Sequence, residues 1–388
     1  MKTNGRAGSK MSLIPTACVV LAAVLFLASQ PTAQAEDPNY WTGAGGGNPA
    51  LWSNNSNWSL GVLPNSIDAI AVFYNSYTGL SNPIRMHGSR SVNQLNFSAD
   101  ADADVTISLT SAAGTTGQIL NFEVNSDLQA PQINVDADAT GNFQLGGTGD
   151  TELYLRARTG LTINHAGSGT LTFGQMLNTL GTVGATVTKN GTGTLIFAAD
   201  NDYTGTTTVN GGVLLVNGDT TAATGAVSVN NGATLGGTGT VGGNITLYAG
   251  GTVAAGASIG ELTVQDLTIQ DGGILDFELT SNATPGTTYD RLVGDNLYLP
   301  SGGTVNLKLS GFGVQSITGG DSFTLFSGTV HDFGTTTVNI VNDTDWTGGW
   351  QVSEGSSLVL TAVIPEPSTL GLLVFAALCG FIRWRRRG

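Results

Sequence analysis

The sequence predicts an all-β protein built as a parallel β-helix, a β-solenoid, and three observations point there. Glycine supplies 56 of 388 residues, about twice average usage, and no Gly-X-Y period suggests collagen. Charged residues make up only 11% of the chain. Thr, Asn, Ser, Val and Leu fill the space, a palette for strands and turns in which strong helix formers are sparse. Glycines also recur on a ladder. "VNGGVLL" has its second glycine at Gly212 and "VNNGATL" the equivalent at Gly232; "YAGGTVA", "IQDGGIL" and "LPSGGTV" follow at Gly251, Gly273 and Gly303. The steps of 20, 19, 22 and 30 residues suit coils that each bury a neighbour's face.

Each coil is expected to hold two or three strands of about four to six residues, with glycine and asparagine giving positive φ angles at the corners. Alternate residues such as Val213 and Leu215, or Ile274 and Phe277 across a turn, are expected to point into a narrow core. A fainter echo, "GSGTLTF" ending at Phe173 and "GTGTLIF" ending at Phe197, extends the ladder toward the N-terminus. An antiparallel sandwich competes with this reading, because Asn-Gly also favours two-residue hairpins. The roughly 20-residue recurrence favours the solenoid.

The two ends read as addresses. Lys2, Arg6 and Lys10 precede the apolar "ACVVLAAVLFLA", and "SQPTAQA" then offers Ala33 and Ala35 as small residues for a signal peptidase, with the cut before Glu36. At the other end, Pro365-Glu366-Pro367 precede an apolar run from Leu370 to Ile382, and Arg383, Arg385, Arg386 and Arg387 follow it. The run is expected to form a single hydrophobic helix, short for a hydrocarbon core of ~30 Å. The arginines would act as a stop-transfer anchor on the cytoplasmic side of the inner membrane. Two prolines around one residue hold an extended backbone that a processing enzyme can read. The expected organisation is a signal peptide at 1–35, a cap and first coils at 36–186, the repeat solenoid at 187–362, and a sorting or anchor segment at 363–388.

The C-terminal segment resembles the PEP-CTERM sorting signal, through Pro365-Glu366-Pro367, the apolar run and the arginine cluster. That resemblance implies recognition by an exosortase, a membrane processing enzyme, and an exported surface or matrix protein with exopolysaccharide as a further partner. Residues 187–218, "VTKNGTGTLIFAADNDYTGTTTVNGGVLLVNG", resemble the autotransporter-associated β-strand repeat of exported β-helical passengers. "GGTVAAGASIGELTV" resembles the segment that often follows such repeats, although Ala255 replaces the usual proline. Trp41, Trp52, Trp58, Pro64, Asp68 and Phe73 stand in the order of the N-terminal cap of such proteins. The C-terminal barrel of an autotransporter is not recognised here, so other machinery is expected to carry the chain outward.

Charge narrows the chemistry. The formal charge is −14, and half of the basic residues lie at the ends. Without them the body keeps 7 basic and 27 acidic residues, a net charge of about −20 that repels nucleic acid and anionic lipid. Cys18 and Cys379 both lie in the terminal apolar runs, so no disulfide framework or cysteine-ligated zinc is expected. Asp100, Asp102 and Asp104 alternate in "DADAD", and Asp136 and Asp138 make a partial copy. Clustered oxygens suit calcium, but no EF-hand glycine or repeat pattern supports it, and a solvated edge is the expectation. His87, His165 and His331 lie far apart and are expected to be lone surface or corner residues. No cofactor is expected.

The expected function is a non-enzymatic, structural or adhesive protein of the cell surface or extracellular matrix. The alternative is a polysaccharide lyase or hydrolase on the same scaffold, for which the body offers Arg85, Arg90, Arg156, Arg158, Lys189, Arg291 and Lys308. Arg156 and Arg158 alternate and are candidates to face one groove. Acidic and basic residues converging in one cleft would favour the enzyme.

Overall fold

The computed structural model describes residues 37–364, apart from 45–50, 74–83, 87, 99–106, 112–117, 147–152, 175–176, 179–183, 312–316, 344–345 and 347. The signal-peptide residues, including Ala33, Ala35 and Glu36, and the C-terminal Pro365, Glu366, Pro367, Arg383, Arg385, Arg386 and Arg387 lie outside the described residues. Among the described residues no helix is long and apolar enough to cross a membrane.

The chain winds as a three-sided β-solenoid. Strands fall into a 17-stranded, an 11-stranded and a 4-stranded sheet, and the coils contribute two or three strands each. One coil runs through Thr170–Phe173, Leu177–Asn178 and Thr186–Asn190; the next through Thr194–Phe197 and Thr207–Val209. Pairing between coils is parallel and in register: Thr194–Phe197 lies beside Thr170–Phe173 and beside Val213–Val216. Among the described strands the antiparallel pairings are the two that close the C-terminal end, where Ser357–Val363 joins both Ser322–His331 and Gly349–Glu354. The sandwich alternative is therefore excluded. Near that end two sides merge, because Arg291–Tyr298 pairs through its first half with Glu261–Thr263 and through its second with Asp266–Ile269.

The interior is a set of columns. Leu171, Leu195, Leu214, Leu235, Val253, Leu275 and Leu307 follow one another coil by coil in register and are buried. Phe173 stacks on Phe197 with ring centroids 5.5 Å apart, so the faint echo in the sequence is a physical ring-on-ring contact. The parity expected at Val213, Leu215 and Ile274 is corrected. Leu214 and Val216, and Leu275 and Phe277, point inward, whereas Val213 and Ile274 face out. Leu215 shares the outward parity, although its neighbours cover it.

The corner prediction holds for glycine: Gly212, Gly232, Gly250, Gly272 and Gly302 all have positive φ. It fails for asparagine, since the only non-glycine residues at positive φ are Leu128 and Asp332 among those described. The asparagines do something else. Asn96, Asn134, Asn164, Asn190, Asn210 and Asn230 occupy one outward column, and each side chain after Asn96 donates an N–H to the carbonyl oxygen of the one before, at 2.7–2.9 Å.

The N-terminal end of the core is closed by aromatics. Trp41, Trp52 and Trp58 are buried. Trp58 meets Trp41 and Trp52 edge-on at 5.1 and 4.9 Å, and all three rings surround Phe73. The indole N–H of Trp58 donates to the Trp52 carbonyl, which removes the polar cost of burying the ring.

Candidate functional site

Asp276 and Glu278 sit two residues apart on the strand Ile274–Glu278, so both project from the same side of it. The next coil supplies Thr304–Ser310 in parallel register, which sets Lys308 opposite Asp276 and Ser310 opposite Glu278. Lys308 Nζ lies 2.8 Å from one oxygen of Asp276; the other Asp276 oxygen is buried with no hydrogen-bond partner.

Between these strands the chain makes an extra loop that returns through a bridge of Leu279 with Tyr289. The return delivers Asp290 to a buried position, 2% exposed. Its two oxygens accept the backbone N–H groups of Gly260 and Glu278, each at 2.7 Å. Burial dominates and pushes its carboxyl up to about 7; the two backbone bonds oppose this, and the charges of Glu278 and Asp276 add to it. Ser258 donates its hydroxyl to Glu278 at 3.2 Å.

These groups rim a cleft of about 370 Å³ whose apolar floor includes Val213, Leu215 and Ala254. A buried carboxyl pushed toward neutrality beside other carboxyl groups is an arrangement acid–base chemistry uses. Here, however, Asp290 is held by two backbone amides and Asp276 by Lys308, which leaves Glu278 as the carboxylate least committed to the framework.

The sequence-named candidates do not converge here, Lys308 excepted. Asp100, Asp102 and Asp104 lie outside the described residues, as does His87. Asp136 and Asp138 are exposed at a turn after Gln132–Val135. Arg158 pairs with Glu123 at 3.3 Å and is half exposed, beyond the end of the strand Leu153–Ala157 that carries Arg156. No group of three or more His, Cys, Asp or Glu side chains among the described residues is placed to hold a metal ion.

One histidine expectation is corrected, that for His165, whereas His331 is a partly exposed residue at the end of the strand Ser322–His331. His331 stacks on Tyr298 at 4.6 Å and its Nε2 lies 3.2 Å from the Asn296 side-chain oxygen. His165 is fully buried, because it follows the outward Asn164 and alternation turns it inward. Neither ring nitrogen has a hydrogen-bond partner. Burial, then the charge of Lys189, lowers His165 to about 4; the Thr194 backbone pulls the other way without reaching hydrogen-bonding geometry. Lys189 occupies an interior column between Ile163 and Val209. Its ammonium bonds the carbonyls of Gly191 and Gly211 at 3.2 and 2.9 Å, and burial lowers it to about 8.

Sequence reasoning did not single out Asp276, Glu278, Asp290 or the asparagine column. The available signal was a D-x-E strand that parallel stacking sets against K-x-S, visible only once the register of an enlarged coil is known.

Comparison with known proteins places two short matches on the chain. The passenger-associated-transport-repeat matches residues 187–216, and the PEP-CTERM protein-sorting motif matches residues 363–387. No curated protein matches the chain. The sorting motif implies an exported protein handled by an exosortase in the membrane, and the repeat fits the β-helical body.

Proposed function

We propose that this chain is a non-enzymatic, structural or adhesive β-solenoid of the cell surface or extracellular matrix. On this reading a signal peptide ending at Ala35 exports it, and the C-terminal segment holds it in the inner membrane until an exosortase acts. The observation that carries the reading is the position of the sorting motif. It begins at residue 363, where the last solenoid strand, Ser357–Val363, ends. A cut beyond that point frees a closed body, capped by tryptophans at one end and by antiparallel strands at the other. Mass spectrometry of both ends of the protein recovered from its host is the test. Glu36 is expected as the first residue and Arg387 is expected to be gone. With Pro365→Ala and Pro367→Ala together, a full-length membrane species should accumulate. If the wild-type protein keeps Arg387, it is a tail-anchored protein instead.

A second reading, a polysaccharide-active enzyme, is favoured by one observation: acidic and basic side chains do converge, at Asp276, Glu278, Asp290 and Lys308. Release of reducing ends or unsaturated sugars from host polysaccharide, abolished by Glu278→Gln, would establish it. Absence of turnover across such substrates leaves the cleft as a structural feature of the enlarged coil.

A further inference from the structure

The outward asparagine column belongs to no part of the sorting reading. Extended by register at both ends, it runs from Tyr40 through Val72 to Asn96 and the five asparagines beyond, and then to Tyr248. Beside it lies a second outward column that includes Thr162, Thr188, Thr208 and Ser228, also in register. Both columns are uncharged, on a body of strongly negative charge. Over the N-terminal half the column floors a groove of about 500 Å³, walled by Tyr40, with Asp136 as the carboxylate on its rim.

Ladder bonding pre-sets what each amide presents. An asparagine side chain has two N–H donors and two acceptor lone pairs. Within the ladder one N–H and one lone pair go to neighbours along the column. Asn164 also reaches Gln132 at 3.4 Å, and Asn96 and Asn230 end the ladder with one ladder bond each; at Asn134, Asn190 and Asn210 one donor and one acceptor are left facing outward. Their orientation is locked by the ladder, and they repeat at the coil spacing of ~4.8 Å. A fixed donor beside a fixed acceptor matches a pair of vicinal hydroxyls. A row of such pairs with an aromatic ring at either end matches an extended chain of sugars, whose hydroxyls take the amides and whose ring faces stack on tyrosine.

We propose that this face binds a neutral, linear, β-linked polysaccharide along the ladder, with Tyr40 and Tyr248 as stacking ends. A β-linked chain is an extended ribbon that repeats its hydroxyls along a straight line, as the column repeats its amides. The neutral stripe offers no cation to a polyanion, and the acidic body repels one. The proposal rests on the surface location argued above and names the ligand such a protein would hold.

The test uses the full chain produced and exported in its own host and recovered from it, offered to cellulose, chitin and β-mannan, with amylose and alginate as controls. Retention on at least one β-linked glycan, little changed by high salt, and none on amylose or alginate is expected. Asn134→Ser combined with Asn164→Ser, and separately Tyr40→Ala, should each weaken retention about tenfold or more. Tyr248 is 44% exposed, so Tyr248→Ala leaves the ladder bonds in place and should weaken it too. Glu354→Gln, exposed at the end of the strand Gly349–Glu354 and away from both the ladder and the cleft, should not. No retention of the wild-type protein, or retention indifferent to all three ladder variants, overturns the proposal; so does a ladder-dependent dimer in sedimentation, which would make a second copy the occupant. Export is scored in the same strains. A protein that reaches the surface yet binds no glycan sinks this inference alone, whereas one that binds but stays in the cytoplasm sinks the surface reading.

Discussion

Residues 187–216 and residues 274–310 are stretches of the same solenoid that treat their lysine and their core differently. The first turns tightly, with a step of 20 residues from Asn190 to Asn210. Its described outward side chains on the asparagine face are neutral, yet it buries Lys189 against His165 in the interior. The second has an apolar interior at Leu275, Phe277, Leu307 and Leu309, and carries its charges outside at Asp276, Glu278 and Lys308. It also carries an extra loop, fastened by Asp290. Room on the outside accounts for the contrast. An enlarged coil has a loop to wall a cleft and hold carboxylates partly out of water. The minimal coil keeps Asp200 exposed at a corner, where it accepts the Asp219 backbone N–H, and its interior ion, Lys189, reaches backbone carbonyls at the corners.

The largest effect that separates the two coils is expected at their corners. Gly212 has φ +63°, and a Cβ there would stand 2.4 Å from the carbonyl oxygen of Gly193 in the coil below. Gly302 has φ +72°, with open space around the added atom. Left-handed backbone alone costs a non-glycine residue roughly 1–2 kcal/mol, and overpacking adds about 1–3 more. Gly302→Ala should therefore cost about 1–2 kcal/mol and Gly212→Ala about 3 kcal/mol or more. Urea midpoints of the two variants measure the gap. Equal losses would mean that close coil-to-coil contact at Gly212 is relieved by small shifts.

The next effect is in pH, where the coils should pull in opposite directions. Asp290 is raised from 3.8 to about 7, so the folded protein keeps a proton that the unfolded chain has lost. Its contribution is present below 3.8 and fades as pH rises toward 7. His165 is lowered from 6.5 to about 4, so the unfolded chain gains a proton that the folded one refuses. Its contribution is present above 6.5 and fades as pH falls toward 4. Between pH 4 and 6.5 the two slopes oppose. Asp290→Asn should remove the loss toward neutral pH, and His165→Leu the loss toward acid. Melting temperature against pH for the two variants, each minus wild type, should show differences of opposite slope. Parallel curves would contradict the assignment of either group.

How much of this was legible depends on what each residue type can signal alone. The glycine corners were, because only glycine tolerates the backbone at Gly212 while sitting against Gly193. The tryptophan cap was, because Trp41, Trp52 and Trp58 cluster before the first repeats. The inward parity of "GVLLV" was not: Val213 and Leu215 are as apolar as Leu214 and Val216, and a continuous apolar run carries no phase. The same ambiguity hid His165, whose direction is fixed by Asn164 before it. Asparagine was assigned to corners by its turn propensity, and only the stacked register shows that side chains such as Asn190 and Asn210 bond to each other. The cleft was hidden for a different reason. Asp276 and Lys308 are 32 residues apart, across a coil larger than the repeat, so the period that revealed the fold gave the wrong register for the site.

The smallest expected effect concerns Lys189, and it sharpens the contrast from the inside. Replacing Lys189 with Met fills a similar volume and removes a charge from a column otherwise occupied by Ile163, Val209 and Val229. It also strips the Gly191 and Gly211 carbonyls of an ammonium partner. Relief of charge burial and loss of two hydrogen bonds oppose each other, so the net change at pH 7 should stay within about 1 kcal/mol. The diagnostic is the pH dependence. Lys189 falls from 10.5 to about 8 on folding, so between those values the unfolded chain holds a proton that the folded one has released. Wild-type stability should rise through that window, and Lys189→Met should lack the rise. Subtracting variant from wild type removes tyrosines and other lysines common to both. A flat difference from pH 8 to 10.5 would mean that the ammonium reaches water, and that the minimal coil accommodates its charge outside after all.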